Sequence, residues 1–134
     1  MGTERKPFID DRELALVKLL YGKLKQRHIK KLGDHEDLLL PFEEFLDMIK
    51  KPCVYCGVIG SNFITDRRDG ITVLKYNGLD RIDNSLGYRK NNVVSACSCC
   101  NVAKGEMSVE EFKAHIERIH VHQARMRNEE CHQK

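Results

Sequence analysis

Residues 79–105 read LDRIDNSLGYRKNNVVSACSCCNVAKG, and a second cysteine pair, CVYC, stands upstream at 53–56. The two C-x-x-C pairs, Cys53 with Cys56 and Cys97 with Cys100, match the ligand spacing of a tetrahedral zinc site. Each short spacing lets two thiolates converge on one ion, because the residues between them form a turn whose amides can also point at sulfur. Disulfides are the competing use of six cysteines, but that pattern belongs to small secreted chains, and no signal-peptide apolar stretch follows the charged start MGTERK. Cys99 between the ligands and Cys131 in the tail read as bystanders. Forty residues separate Cys56 from Cys97, more than the roughly 15–20 of a plain zinc ribbon. The metal would therefore staple the base of an insertion large enough for a hairpin and a loop. Four thiolates leave no open position for water or substrate, so the expected zinc, one per chain, is structural.

Inside the insertion, ITVLKY (71–76) is β-branched and apolar, and Asn77-Gly78 is a strong short hairpin signal. LKY and LDRI are accordingly expected to pair antiparallel across that turn. The loop DNSLGYRKN comes next, then a short strand NVVS, then the second cysteine knuckle, with Asn101 at the start of a helix NVAKG. Upstream, Asp10 or Asp11 can cap a helix in which Leu14, Val17, Tyr21 and Leu24 recur at helical spacing, and Gly33 can close it. Pro41 opens a second helix with an apolar stripe of Phe42, Phe45, Leu46 and Ile49. Downstream, Ser108 to Glu111 form a capping box for a helix whose Val109, Phe112, Ile116 and Ile119 face a core. The polar residues 123–134 are expected to fray. The expected organisation is one α+β domain over 1–134: a basic helix at about 10–33, a zinc-framed core at about 50–107, a C-terminal helix at about 108–122, and a tail.

At 134 residues, 32% charged and 41% hydrophobic, the chain has the composition of an ordinary globular protein. No apolar run approaches the ~20 residues of a membrane span, and the expected compartment is the cytoplasm. Net charge is only +3, so its distribution matters more than its sum. From Leu14 to Gly33 there is no acid, while Lys18, Lys23, Lys25, Arg27, Lys30 and Lys31 are all positive. Two readings stand: complementing the helix macrodipole, or a face that contacts phosphates. Asp80 at a strand end and Asn101 after the second knuckle could face one another as hard oxygen ligands for magnesium or manganese. Such an ion can hold a scissile phosphate and stabilise the leaving 3′ oxygen.

The run C-x-Y-C-G, L-D-x-I-D, N-V-V and C-x-x-C-N-x-x-K resembles the zinc-bound HNH (ββα-metal) endonucleases of phages and mobile elements. The resemblance covers about residues 10–122, including the basic helix, the PFEEF helix before the first knuckle and the MSVEEF helix after the second. It implies a small zinc-stapled ββα-metal fold with flanking helices that hydrolyses DNA phosphodiester bonds in a bacterial or phage-infected cell. Carried over by position, Asp80 and Asn101 would hold the catalytic divalent ion, magnesium or manganese. Asn92 would structure the loop and orient the catalytic group, and Lys104 would lie near the phosphate or tie down the helix.

The family's general-base histidine should follow the metal-binding aspartate, and that position is Arg81. A guanidinium with a pKa above 12 cannot take a proton from water. Three readings remain. Arg81 contacts the phosphate while Asp83 or another base acts; or a histidine comes from elsewhere, such as His115, His120 or His122; or the chain is a catalytically weak or inactive DNA-binding module. Each residue also has a plain structural use. Asp80 can be a surface hairpin acid paired with Arg81, Asn92 and Asp83 can be turn residues, and Asn101 can N-cap a helix. The histidines His28, His35, His115, His120, His122 and His132 read as surface residues. Lys18, Lys23, Lys25, Arg27, Lys30, Lys31, Arg67, Arg68, Arg89 and Lys90 would grip duplex DNA by its backbone, with weak sequence preference unless a protein partner supplies more.

Overall fold

The computed structural model describes residues 10–132, with side chains through 130, so the expectations for MGTERK, Cys131 and His132 fall outside the described groups. The chain divides into two compact units, one ending at Asn101 and the other beginning at Val102.

In the first unit, helix α1 (Asp11–Gln26) opens with the Asp10 side chain accepting the Glu13 N–H at 2.8 Å. It continues as a π-helical turn over Arg27–Lys31, where the Leu32 N–H reaches back five residues to the Arg27 carbonyl at 2.9 Å. Gly33, at φ 66°, ends it in the left-handed region that glycine tolerates. Helix α2 (Phe42–Ile49) buries Phe45 and Ile49. Tyr21 lies against the Phe42 and Phe45 rings, both with centroids 5.3 Å away, and its hydroxyl donates to the Leu40 carbonyl. Val17 and Leu24 of α1, Leu40, Phe45 and Ile49 make one core with Leu74, Leu79, Tyr88 and Val93.

The strands form two separate antiparallel pairs. Strands β1 (Asn62–Thr65) and β2 (Thr72–Tyr76) pair with each other, and β3 (Gly78–Arg81) pairs with β4 (Val93–Ala96) in the register Leu79 to Ser95 and Asp80 to Val94. LKY and LDRI are therefore not hairpin partners, which corrects the reading of Asn77-Gly78. A two-residue type I′ turn needs positive φ at both positions, and neither Asn77 nor Gly78 has it. Asn77 is instead fully buried and works as a staple. Its amide donates to the Lys51 and Val58 carbonyls, and its oxygen accepts the Ser61 N–H and hydroxyl. The turn that does join a hairpin is 66–71, where the Asp66 carboxylate accepts from Arg68 and Asp69 from the Ile71 N–H.

Helix α3 (Ser98–Lys104) starts three residues earlier than expected, so Asn101 is inside it and does not cap it; the Asn101 N–H donates to the Cys97 carbonyl at 2.9 Å. In the second unit, Ser108 caps α4 (Val109–His132) by accepting the Glu111 N–H at 3.1 Å. The expected frayed tail from 123 is helix to His132. No glycine or proline interrupts residues 109–134, and Ala, Arg, Met and Glu propagate a helix well. Among the described residues no helix is long and apolar enough to cross a membrane.

Candidate metal frame and active site

The Sγ atoms of Cys53, Cys56, Cys97 and Cys100 all lie within 4.8 Å of one another. Tetrahedral zinc–thiolate bonds of ~2.3 Å would put sulfurs ~3.8 Å apart, and Cys56 and Cys97 stand at 3.7 Å. The four cysteines could thus hold one metal ion. Local backbone prepares the frame: Cys53 N–H bonds the Val58 carbonyl, Gly57 N–H bonds the Cys53 carbonyl, and the Cys100 N–H points at Cys97 sulfur. Gly57 holds φ 79°, which closes the first knuckle tightly. Burial works against the Cys53 thiolate, but the amides of Cys56, Cys97 and Tyr55 outweigh it and lower that thiol's pKa. Burial and the neighbouring sulfurs push Cys100 up. The first knuckle is tied to β4 by the Val54 N–H on the Ser95 carbonyl at 2.8 Å, and the Ser95 hydroxyl returns to Lys51.

Both knuckles deliver a side chain to β3. Tyr55, between Cys53 and Cys56, donates its hydroxyl to Asp80 Oδ2 at 2.6 Å. Asn101, directly after Cys100, places its amide 3.4 Å from the carbonyl of Leu79, the residue before Asp80. Asp80 is 4% exposed, so it is not the surface hairpin acid that the plain reading offered. Burial, then the Asp80 carboxylate, raises the Tyr55 phenol above its ordinary value, which keeps it a donor. Tyr55 was not singled out in the sequence; its position between two metal-spaced cysteines was the available signal.

Arg81 turns to the loop that follows β3. Its Nη1 donates to the carbonyls of Asn84 at 2.7 Å and Leu86 at 3.0 Å. The buried Asn92 closes the same loop, donating to the Asp83 and Gly87 carbonyls and accepting the Asp83 N–H. The Asp83 carboxylate accepts the Ser85 hydroxyl and N–H, which hold it below the usual carboxylate range and make it a weak base near neutral pH. Lys104, at the end of α3, is buried.

His28 was expected on the surface and is fully buried. The π-helical turn carries it inward, where Nδ1 accepts the Tyr88 N–H at 3.0 Å and Nε2 therefore donates to the His35 carbonyl at 2.7 Å. Beside it, Asp34 accepts two bonds from Arg89 and one from the Gly87 N–H. Arg89, first, and the His35 and Gly87 amides hold the Asp34 carboxyl well below its ordinary range against burial. A Cβ on Gly87 would stand 2.3 Å from His28 Nδ1, so this approach admits only glycine. Of the expected basic residues, Arg68 is paired with Asp66, Arg89 with Asp34, Lys90 with Glu44 and Lys25 with Glu36. Lys23, Arg27, Lys30 and Lys31 line one open surface depression.

No family model matches the chain. It is 36% identical over 76 residues to uncharacterized protein R423 of Acanthamoeba polyphaga mimivirus; the match takes in 57% of this chain and 12% of that protein's length. In structure it is similar to the rare-cutting HNH restriction endonuclease PacI, with a TM-score of 0.57 and 22% identity over 89% of this chain and 92% of that one. The cysteine frame, β3, β4 and α3 thus belong to an α+β fold of the ββα-metal kind.

Proposed function

We propose that the protein is a metal-dependent HNH-type endonuclease that hydrolyses DNA phosphodiester bonds. The observation that supports it best is the convergence of Tyr55 and Asn101, one from each cysteine knuckle, on Asp80 and its neighbour Leu79. A frame held by zinc would fix both knuckles and hence the orientation of the Asp80 carboxylate. Asp80 and the Asn101 side-chain oxygen are the hard ligands we assign to a magnesium or manganese ion. Such an ion, when bound, would polarise the phosphoryl group and stabilise charge on the leaving 3′ oxygen.

The chain's own residues do the rest. Tyr55 keeps one Asp80 oxygen engaged and so orients the other. Asn92 and Arg81 hold the 82–87 loop closed, and Arg81 supplies a fixed positive charge beside the phosphate. Asp83, already committed to Ser85, is the weaker candidate for activating water. Lys23, Arg27, Lys30 and Lys31 grip the duplex backbone, which positions the DNA without reading its sequence. The viral relative is in keeping with a phage or mobile-element setting.

Supercoiled plasmid incubated with magnesium or manganese tests the reading. Nicking should appear, and Asp80→Ala and Asn101→Ala should each abolish it. Plasmid that stays intact, or nicking indifferent to Asp80→Ala, sinks the enzyme. The competing reading, a DNA-binding module without catalysis, is favoured by the two loop carbonyls that occupy Arg81 Nη1; it expects DNA binding with no nicking.

A further inference from the structure

One aromatic ring joins the basic end of α1 to β3. The guanidinium carbons of Arg27 and Arg81 lie 5.5 and 5.7 Å from the Tyr88 ring centroid, within cation–π range. Tyr88 is 4% exposed and pinned at both backbone ends: His28 Nδ1 accepts its N–H, and its carbonyl accepts the Leu40 N–H at 2.8 Å. His28 reaches that position because α1 widens into the π-helical turn that begins at Arg27. The same turn that buries His28 therefore also sets Arg27 over the ring.

Arg68 and Arg89 each pair with an aspartate, whereas Arg27 makes no ion pair among the described residues. It is exposed and shares its depression with Lys23, Lys30 and Lys31. The two distances to one ring keep the Arg27 and Arg81 guanidiniums within roughly 11 Å. At ~3.4 Å of rise per nucleotide, that span covers neighbouring phosphates of one strand. Two guanidiniums beside one ring can each donate to a bridging phosphodiester anion.

We propose that Arg27 is a second arginine of the site: with Arg81, and with Tyr88 as the rigid spacer, it clamps the phosphates next to the scissile bond. This rests on the nuclease reading and names the element that aligns its substrate. The His28 hydrogen bonds then serve to position a binding residue, not to hold the fold alone.

The test is binding of a short fluorescent DNA duplex by anisotropy across a salt series, measured in an Asp80→Ala background so that nothing is cleaved. Arg27→Ala should weaken binding about tenfold and reduce the slope of log affinity against log salt by about one. Lys75→Ala, which removes one exposed charge from β2, should weaken it far less. Arg27→Lys should restore the salt slope but only part of the affinity, because an ammonium cannot bind a phosphate with two parallel bonds. In the cleaving protein, Arg27→Ala should slow plasmid nicking by at least about tenfold with an unchanged melting curve. Equal losses from Arg27→Ala and Lys75→Ala would overturn the clamp and leave the nuclease intact. Tight, Arg27-dependent binding without any nicking would overturn the nuclease and keep the clamp as a binding device. No DNA binding at all would overturn both.

Discussion

The two strand pairs are built alike, each of two short antiparallel strands, yet only one carries candidate chemistry. β1 alternates half-buried and exposed residues, and Phe63 on it is 68% exposed. β3 and β4 bury Leu79, Asp80, Ser95 and Ala96 on both faces. An isolated two-stranded sheet is marginal in water, so support decides what each pair can hold. α1 packs on β2, whereas α2 packs on both β3 and β4 and the first cysteine knuckle is tied to Ser95. That backing lets β3 keep a carboxylate almost out of solvent with a tyrosine hydroxyl on it. The β1–β2 pair commits its turn carboxylates, Asp66 and Asp69, to Arg68 and to Arg12 of α1.

The largest effects should come from removing the support of the inner pair. Cys97→Ala, or exhaustive removal of metal, should abolish the cooperative melt, since a structural zinc contributes on the order of 10 kcal/mol; metal analysis of the intact protein should find about one zinc per chain. A metal-free protein that melts cooperatively would erase the distinction between the pairs. Next, Asp80→Ala should lower nicking by at least ~100-fold while the melt is retained, and Tyr55→Phe by about tenfold, because the carboxylate loses the donor that orients it. Arg81→His separates two roles for the arginine. A faster enzyme would mean that a general base is what this site lacks, and a slower one that the positive charge contributes.

Smaller effects should follow at the junction of the π-helical turn and the loop. Gly87→Ala pushes a methyl into His28 and Asp34 and should cost about 1–3 kcal/mol by chemical denaturation. Acid should then separate Asp34 from its counterpart in the outer turn, Asp66, which Arg68 lowers to about 2. Both carboxyls have a folded pKa below the ordinary ~3.9. Their stabilisation is complete above that value and is lost as the pH falls through it toward the lowered folded pKa. Salt at about 1 M should erase the contribution of Asp66, whose partners Arg68 and Arg12 are 84% and 47% exposed, more than that of Asp34, whose partner Arg89 is 34% exposed. Equal salt sensitivity in Asp34→Asn and Asp66→Asn titrations would count against the contrast. Phe63→Ala, the smallest change, should move stability by no more than ~0.5 kcal/mol.

Much of this was legible in advance, for reasons that differ by residue. The cysteine spacing announced a candidate metal frame because two thiolates three positions apart can reach one ion only through a tight knuckle. The Ser108 cap and the apolar stripe of α2 are local patterns, and both formed as read. Asn77-Gly78 misled because hairpin propensity is also local, while the Asn77 side chain had four partners in Lys51, Val58 and Ser61 to satisfy. His28 was hidden for a similar reason: in sequence it stands in a basic run, and only the π-helical turn rotates it away from its charged neighbours.

The sequence by itself determined the elements whose causes lie within a few residues: the knuckles and the helix caps. Tertiary structure alone decided which strand β2 joins, that Tyr55 meets Asp80, and that Arg27 and Arg81 share the Tyr88 ring. The Tyr55–Asp80 and Arg27–Tyr88 contacts link residues 25 and 61 positions apart, and their energy exists only once the core has brought the segments together. No pattern of spacing records a distance that the chain acquires by folding.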